Sequence, residues 1–90
     1  MLKARVIKSE GCHICKSYLK ILSKQGYDYL IYDADVKENQ KELDGWKITQ
    51  MPVVQIVDEL GKVCYQYPAG RHSTRLIDEK IKQLSKESKT

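Results

Sequence analysis

Two cysteines separated by two residues are the feature of this sequence best suited to chemistry. Cys12 and Cys15 lie between a strand-like stretch, residues 3–8, and a helix-like stretch, residues 16–25. Side chains three residues apart at the start of a helix share one face, so these sulfurs can form a disulfide with little backbone movement. The unpaired N–H groups and the helix dipole favour a thiolate at Cys12, the form that attacks disulfides. The spacing therefore predicts a redox-active dithiol with Cys12 as the nucleophile.

The same spacing also forms half of many zinc sites, which need two further ligands. The remaining candidates are His13, His72 and Cys64, and the sequence has no second pair of closely spaced cysteines or histidines. We therefore predict redox chemistry and no bound metal. Cys64 is expected to be a small buried residue of an outer strand that remains a thiol. His13 is a candidate for tuning the dithiol, and an exposed neutral histidine of little effect is the alternative.

Length and composition exclude several classes of protein. The 90 residues suffice for one domain, expected to span residues 1–90. No apolar run approaches the roughly 18–20 residues that cross a membrane, and residues 1–3 lead into a strand rather than a signal peptide. Three cysteines, an odd number, argue against a secreted disulfide framework, so a cytoplasmic location is expected. We also expect a monomer. The net charge of +4 is spread along the chain without a groove-reading motif, so no nucleic-acid partner is expected.

The hydrophobic pattern predicts the element order β-α-β-α-β-β-α. Strands are expected at residues 3–8, 27–32, 53–57 and 62–67. The first two should be parallel and joined by a right-handed crossover, and the last two should form an antiparallel hairpin. The third strand is apolar on both faces except at Gln55, so it should be central. The sequence therefore predicts an α/β domain with a four-stranded mixed sheet flanked by three helices.

Capping residues predict where the helices begin and end. Gly26 should end the first helix, and Ser73 should cap the third. Asp35 and Glu38 have the spacing of a capping box, which predicts that the second helix begins there. The expected apolar faces consist of Tyr18, Leu19, Ile21 and Leu22, then Val36, Leu43 and Trp46, then Leu76, Ile77, Ile81 and Leu84, with a frayed tail after Leu84.

This element order, with a dithiol before the first helix, resembles the minimal thioredoxin fold. The chain resembles the glutaredoxin and thioredoxin families over nearly its whole length, and Cys12 and Cys15 match the active-site motif of both. Gln50-Met51-Pro52 and the apolar strand after it look like the loop that carries a cis-proline in these families. Size and the immediate start with a strand are more similar to glutaredoxins, whereas residues 46–48 and 70–73 are more similar to thioredoxins.

The chain also departs from both families at named positions. His13 and Ile14 stand where glutaredoxins usually have Pro and Tyr, and Ser73 replaces their Asp at the start of the last helix. Val6 stands where thioredoxins bury an Asp, and Gly11 where they place a Trp. These departures affect the choice of reductant more than the fold.

The resemblance implies a glutaredoxin-like oxidoreductase that reduces protein or glutathione mixed disulfides. Glutathione would be its co-substrate, with no bound cofactor. A cis Pro52 would turn the backbone of Met51 toward Cys12, where it would pair with an extended peptide or with the cysteinyl part of glutathione. The glutathione carboxylates would be held by Lys8, Arg71, His72 and Ser73. Three alternatives stay open: a thioredoxin-like reductant regenerated by a flavin-dependent disulfide reductase, a non-catalytic binding subunit, and a metal or iron–sulfur carrier.

Overall fold

The computed structural model describes residues 2–87, the last of these without its side chain. Within them, the strands are β1 (Lys3–Lys8), β2 (Tyr29–Asp33), β3 (Val53–Val57) and β4 (Val63–Gln66). The helices are α1 (His13–Lys24), α2 (Gln40–Gly45, preceded by a 3₁₀ turn at Lys37–Asn39) and α3 (Thr74–Glu87). The strands form one mixed sheet in the order β2-β1-β3-β4. β1 is parallel to β2, and β3 is antiparallel to both β1 and β4. The predicted fold class is confirmed.

The sheet separates two apolar clusters because side chains alternate along its central strands. The cluster shared with α1 and α3 consists of Ala4, Val6, Tyr18, Leu22, Val54 and Ile77. The cluster on the α2 side consists of Ile7, Ala34, Leu43 and Val53. β3 is buried along its whole length, as predicted for a central strand.

Gln55 is the polar residue of this buried strand, and its neighbours satisfy its side chain. Its Oε1 accepts hydrogen bonds from Arg5 Nε and Nη2, at 3.1 and 2.7 Å. Its Nε2 donates to Gln66 Oε1 at 2.9 Å. The Arg5 guanidinium also lies over the rings of Tyr32 and Trp46, at 4.9 and 5.1 Å from their centroids. This network links all four strands on the α2 side of the sheet.

Two of the three predicted helix signals are confirmed. Gly26 follows the end of α1 with a φ of +64°. The N–H groups of Gly26 and Tyr27 donate to the carbonyls of Ser23 and Leu22, both at 3.0 Å, which is the Schellman arrangement. At the start of α3, Ser73 Oγ accepts from the N–H of Leu76 at 3.2 Å.

The capping box predicted at Asp35 and Glu38 is wrong. α2 begins at Gln40, and Val36, which precedes the 3₁₀ turn, makes no side-chain cap. The Asp35 carboxylate instead accepts hydrogen bonds from the loop between β1 and α1. The Asp35 carboxylate therefore binds a distant segment of the chain instead of forming the local cap that the spacing predicted.

Several boundaries and surface assignments also differ from the prediction. β2 begins at Tyr29, two residues later than expected, because Tyr27 completes the end of α1. β4 is shorter by one residue at each end. Three residues expected on apolar faces are exposed instead, namely Ile21, Val36 and Leu76. The tail expected to fray after Leu84 is helical through Glu87, and residues 88–90 lie outside the described residues. None of the helices in residues 2–87 is long and apolar enough to span a membrane.

Cys64 is exposed, so its predicted burial is wrong. The pairing of β3 with β4 steps from Val57 opposite Val63 to Ile56 opposite Tyr65, which leaves Cys64 as the extra residue of an irregularity. Such a residue is unpaired, and β4 is also the edge of the sheet.

Candidate active site

Cys12 lies at the N-terminus of α1 with its sulfur facing backbone groups from two parts of the chain. It is the N-cap residue, and its Sγ accepts from the N–H of Cys15 at 3.1 Å. The same Sγ lies 3.6 Å from the carbonyl oxygen of Met51. Cys12 is partly exposed. A negative charge on this sulfur would be stabilised by the N–H of Cys15 and by the positive end of the helix.

Cys15 lies one turn further into α1 and is only 1% exposed. Burial, followed by the hydrogen bond with Cys12, raises the pKa of Cys15 to about 11, although the backbone of Ser9 acts in the opposite direction. All three cysteines are thiols in this structure. The fold therefore pairs an accessible thiol with a covered, protonated one.

The carboxylate of Asp35, which follows β2, holds the loop between β1 and α1 in place. Asp35 Oδ1 accepts from Ser9 Oγ at 3.1 Å, and its Oδ2 accepts from the N–H of Glu10 at 2.7 Å. The hydrogen bond from Glu10 is the main reason that the pKa of Asp35 is lowered. In turn, the carbonyl of Ser9 accepts from the N–H of Cys12 at 3.1 Å. Asp35 thus fixes the segment that leads into the dithiol.

Sequence reasoning missed this role of Asp35. A signal was available, because Asp35 follows β2 just as Ser9 follows β1. The carboxyl ends of adjacent parallel strands meet at one edge of a sheet, where such residues lie close together.

The loop before β3 meets the dithiol as the resemblance implied. The Met51–Pro52 peptide bond is cis, and Pro52 is buried. The carbonyl of Pro52 accepts from the N–H of Gly70 at 2.9 Å, so the loop that leads into α3 lies beside it. Of the residues expected to recognise substrate, Met51 contacts Cys12 through its carbonyl oxygen.

The residues expected to bind glutathione carboxylates are not gathered into one site. Arg71, His72 and Ser73 line a cavity of about 400 Å³ between α1 and the start of α3, and Cys12 is not among its described lining residues. His72 Nε2 hydrogen-bonds the carbonyl of Pro68 at 2.9 Å. Ser73 is occupied as the cap of α3.

Lys8 lies elsewhere, at the end of β1. Its Nζ is 3.6 Å from Asp33 Oδ2. Lys8 also borders a second cavity, of about 350 Å³, which Cys15 lines. His13 is exposed at the first position of α1. Within residues 2–87, no group of three or more His, Cys, Asp or Glu side chains is arranged to hold a metal ion.

Comparisons with known proteins identify the fold rather than a family. No protein-family model matches the sequence, and no curated protein is detectably similar to it. Among solved structures, the chain is similar to thioredoxin 1 from the thermophilic eubacterium Thermosipho africanus, with a TM-score of 0.61 and 21% identity over 98% of this chain and 99% of that one.

Two structures from Thermus thermophilus are similar as well. One is a thioredoxin, with a TM-score of 0.66 and 16% identity over 93% of this chain and 73% of that one. The other is a thio-disulfide isomerase, with a TM-score of 0.55 and 16% identity over 88% of this chain and 76% of that one. The chain therefore has a small thioredoxin-like fold, with its two neighbouring cysteines at the start of the first helix.

Proposed function

We propose that the chain is a glutaredoxin-like thiol–disulfide oxidoreductase in which Cys12 attacks and Cys15 resolves. One observation carries the proposal: the accessible Cys12 sulfur receives the N–H of Cys15 at 3.1 Å, whereas Cys15 itself is 1% exposed. The Cys12 sulfur is partly exposed and faces an N–H group at the N-terminus of α1, so it is placed to attack a substrate disulfide. Burial keeps the second thiol protonated until the first has reacted.

The proposed reaction transfers two electrons to the substrate disulfide. The Cys12 thiolate attacks one substrate sulfur, the S–S bond breaks, and the other substrate sulfur leaves as a thiolate that takes up a proton. Cys15 then loses its proton and attacks the Cys12 sulfur. The second substrate sulfur departs and is protonated, and a Cys12–Cys15 disulfide remains.

We propose proteins in extended conformation and glutathione mixed disulfides as the substrate class. The carbonyl of Met51, 3.6 Å from the Cys12 sulfur, is a backbone acceptor beside the point of attack. An extended segment whose cysteine reacts with Cys12 would donate its N–H to that carbonyl, as in strand addition. His13, exposed at the start of α1, is proposed to modulate the dithiol.

For regeneration we propose glutathione, acting as a co-substrate on a monomeric cytoplasmic protein that binds no cofactor of its own. A second candidate reductant is a flavin-dependent disulfide reductase, and the extensive structural likeness to thioredoxins favours it. NADPH consumption with a disulfide substrate separates the two. We expect turnover with glutathione and glutathione reductase; turnover with thioredoxin reductase alone would favour the second candidate.

A trapping experiment tests the two cysteine roles. Cys15→Ser should accumulate a mixed disulfide with a substrate protein or with glutathione, because no internal thiol releases it. With the exposed Cys64 also replaced by Ser, Cys12→Ser should trap none. Cys64→Ser alone, the matched control, should behave like the wild type. The adducts are measured by mass before and after dithiothreitol. If neither active-site variant traps anything and the wild type reduces no disulfide, the chain is a non-catalytic binding subunit.

A further inference from the structure

The cavity between α1 and the start of α3 has an apolar floor and a positively charged rim. Its volume of about 400 Å³ is within the range of ligand-binding clefts. Helix α1 supplies the floor, through Tyr18, Ile21 and Leu22. The rim carries Arg71 and Arg75, and the described lining residues include no carboxylate. We call this cavity the α1–α3 groove.

A row of apolar side chains on α1 joins this groove to the dithiol. Ile14 lies between the two cysteines and is 53% exposed, and Ile21 is 43% exposed. Residues three and four apart share one face of a helix, so Ile14, Tyr18 and Ile21 form one row. From Ile14 to Ile21 the helix rises about 10 Å, a distance that about three extended residues span. A segment whose cysteine reacts with Cys12 therefore reaches the groove within about five residues.

The positive charges of the rim are available to a partner. Arg71 is exposed and takes part in no ion pair within residues 2–87. Arg75 Nε lies 3.4 Å from Glu79 Oε1, but the Arg75 side chain is 88% exposed, and such an exposed pair contributes little. The other carboxylate in the first two turns of α3, Asp78, accepts from the hydroxyl of Tyr27 at 2.7 Å. The rim therefore has an excess of positive charge, to which the N-terminus of α3 adds the positive end of its dipole.

The apolar floor favours a protein segment over a small anion. Glutathione has carboxylates but no large apolar side chain, so it would leave the exposed side chain of Ile21 uncovered. Two polar side chains of the groove are engaged within the chain. The Tyr18 hydroxyl donates to the carbonyl of His72 at 2.6 Å, and Ser73 caps α3. Recognition in the groove therefore depends on apolar contact with the floor and on charge at the rim.

We propose that the α1–α3 groove binds an acidic segment with apolar side chains, within about five residues of the reacting cysteine of a substrate protein. This inference rests on the proposed function and specifies its substrate class. An apolar side chain of the segment packs on Ile21 and the floor, and its carboxylates pair with Arg71 and Arg75. Opposite charges at such a rim speed association and select among partners.

Single-turnover reaction of the reduced protein with peptide mixed disulfides measures this binding separately from the chemistry. The acidic peptide carries one cysteine, disulfide-bonded to a chromogenic aromatic thiol, between two short segments of alternating glutamate and leucine. The attack of Cys12 on the peptide sulfur releases the aromatic thiolate, at a rate that saturates with peptide concentration. In the variant with Arg71→Gln and Arg75→Gln, we expect the half-saturating concentration to rise about tenfold, as for the loss of two exposed ion pairs. The maximal rate should not change. Ile21→Ser should also raise the half-saturating concentration.

Matched controls separate the groove from a general effect of charge. Lys37→Gln with Lys41→Gln removes the same charge from exposed positions on the α2 side, and it should have no effect. A peptide with lysine in place of glutamate should bind the wild type more weakly, and the two arginine changes should not weaken it further. Equal half-saturating concentrations in the arginine variant and the wild type would overturn the proposal. So would an equal rise in the lysine control, an equal rise for both peptides, or a larger rise for the corresponding mixed disulfide of glutathione.

A second measurement keeps this proposal distinct from the proposed function. A wild type that releases no aromatic thiolate from any of these disulfides would refute the chemistry. The acidic peptide with serine in place of cysteine binds without reacting, and it should shift the NMR amide signals of α1 and of the start of α3. No shift there, or the same shifts in the arginine variant, would overturn the proposed groove.

Discussion

The buried thiol of Cys15 offers the sharpest test of how burial sets the reactivity of each cysteine in this fold. We consider the protein in which Cys12→Ser and Cys64→Ser leave Cys15 as the one cysteine of the chain. Burial is the largest cause of its raised pKa, and it remains when the smaller contributions of Cys12 are removed. We therefore expect Cys15 to react slowly with a chromogenic aromatic disulfide at neutral pH.

The magnitude follows from the ionised fraction and the nucleophilicity of the thiolate. With a pKa of about 11, about one Cys15 thiol in ten thousand is ionised at neutral pH, against about one in a hundred at the ordinary value of 9.0. A thiolate of higher pKa is a better nucleophile, by about tenfold over this difference. The net loss from ionisation is therefore at most about tenfold relative to an ordinary exposed thiol, because the contributions of Cys12 to this pKa are absent from the variant. Because Cys15 is 1% exposed, steric cover adds to it.

The assay records coloured thiolate release against pH for this protein, for free cysteine, and for the matched protein with Cys15→Ser and Cys64→Ser, which keeps Cys12. The second protein should react faster than the first at neutral pH. A Cys15 rate equal to that of free cysteine, or an inflection at or below 9.0, would refute the argument from burial.

Three further predictions concern stability and are measured as the free energy of unfolding in urea. Gln55→Ala removes the acceptor of both Arg5 hydrogen bonds and should cost about 1–3 kcal/mol; no loss would mean that water replaces that acceptor. Ser73→Ala removes the cap of α3 and should cost about 1 kcal/mol, whereas Ser73→Thr should restore most of it. Gly26→Ala forces a side chain into a φ of +64° and should cost about 1–2 kcal/mol. Its control is Gly45→Ala, because an added Cβ at Gly45 meets no atom within 4 Å, and this change should not destabilise the protein. Equal costs at the two glycines would contradict the argument that backbone strain at Gly26 causes the loss.

Part of the candidate site could be predicted from local sequence alone. The spacing of Cys12 and Cys15 before a helical pattern places one sulfur at the helix terminus and the other a turn inside, because α-helix geometry is fixed. The capping roles of Gly26 and Ser73 could likewise be predicted, since each residue pairs with backbone groups a few residues away. Such features need no knowledge of the rest of the fold.

Other features were decided only by contacts between distant segments. The spacing of Asp35 fits a local cap, yet its carboxylate bonds to a loop that the parallel pairing of β1 and β2 brings close. Cys64 is of a residue type that is usually buried, yet an irregularity at the sheet edge exposes it. Sequence periodicity determines most of the residues that face the core, whereas partners across the sheet determine which polar groups meet.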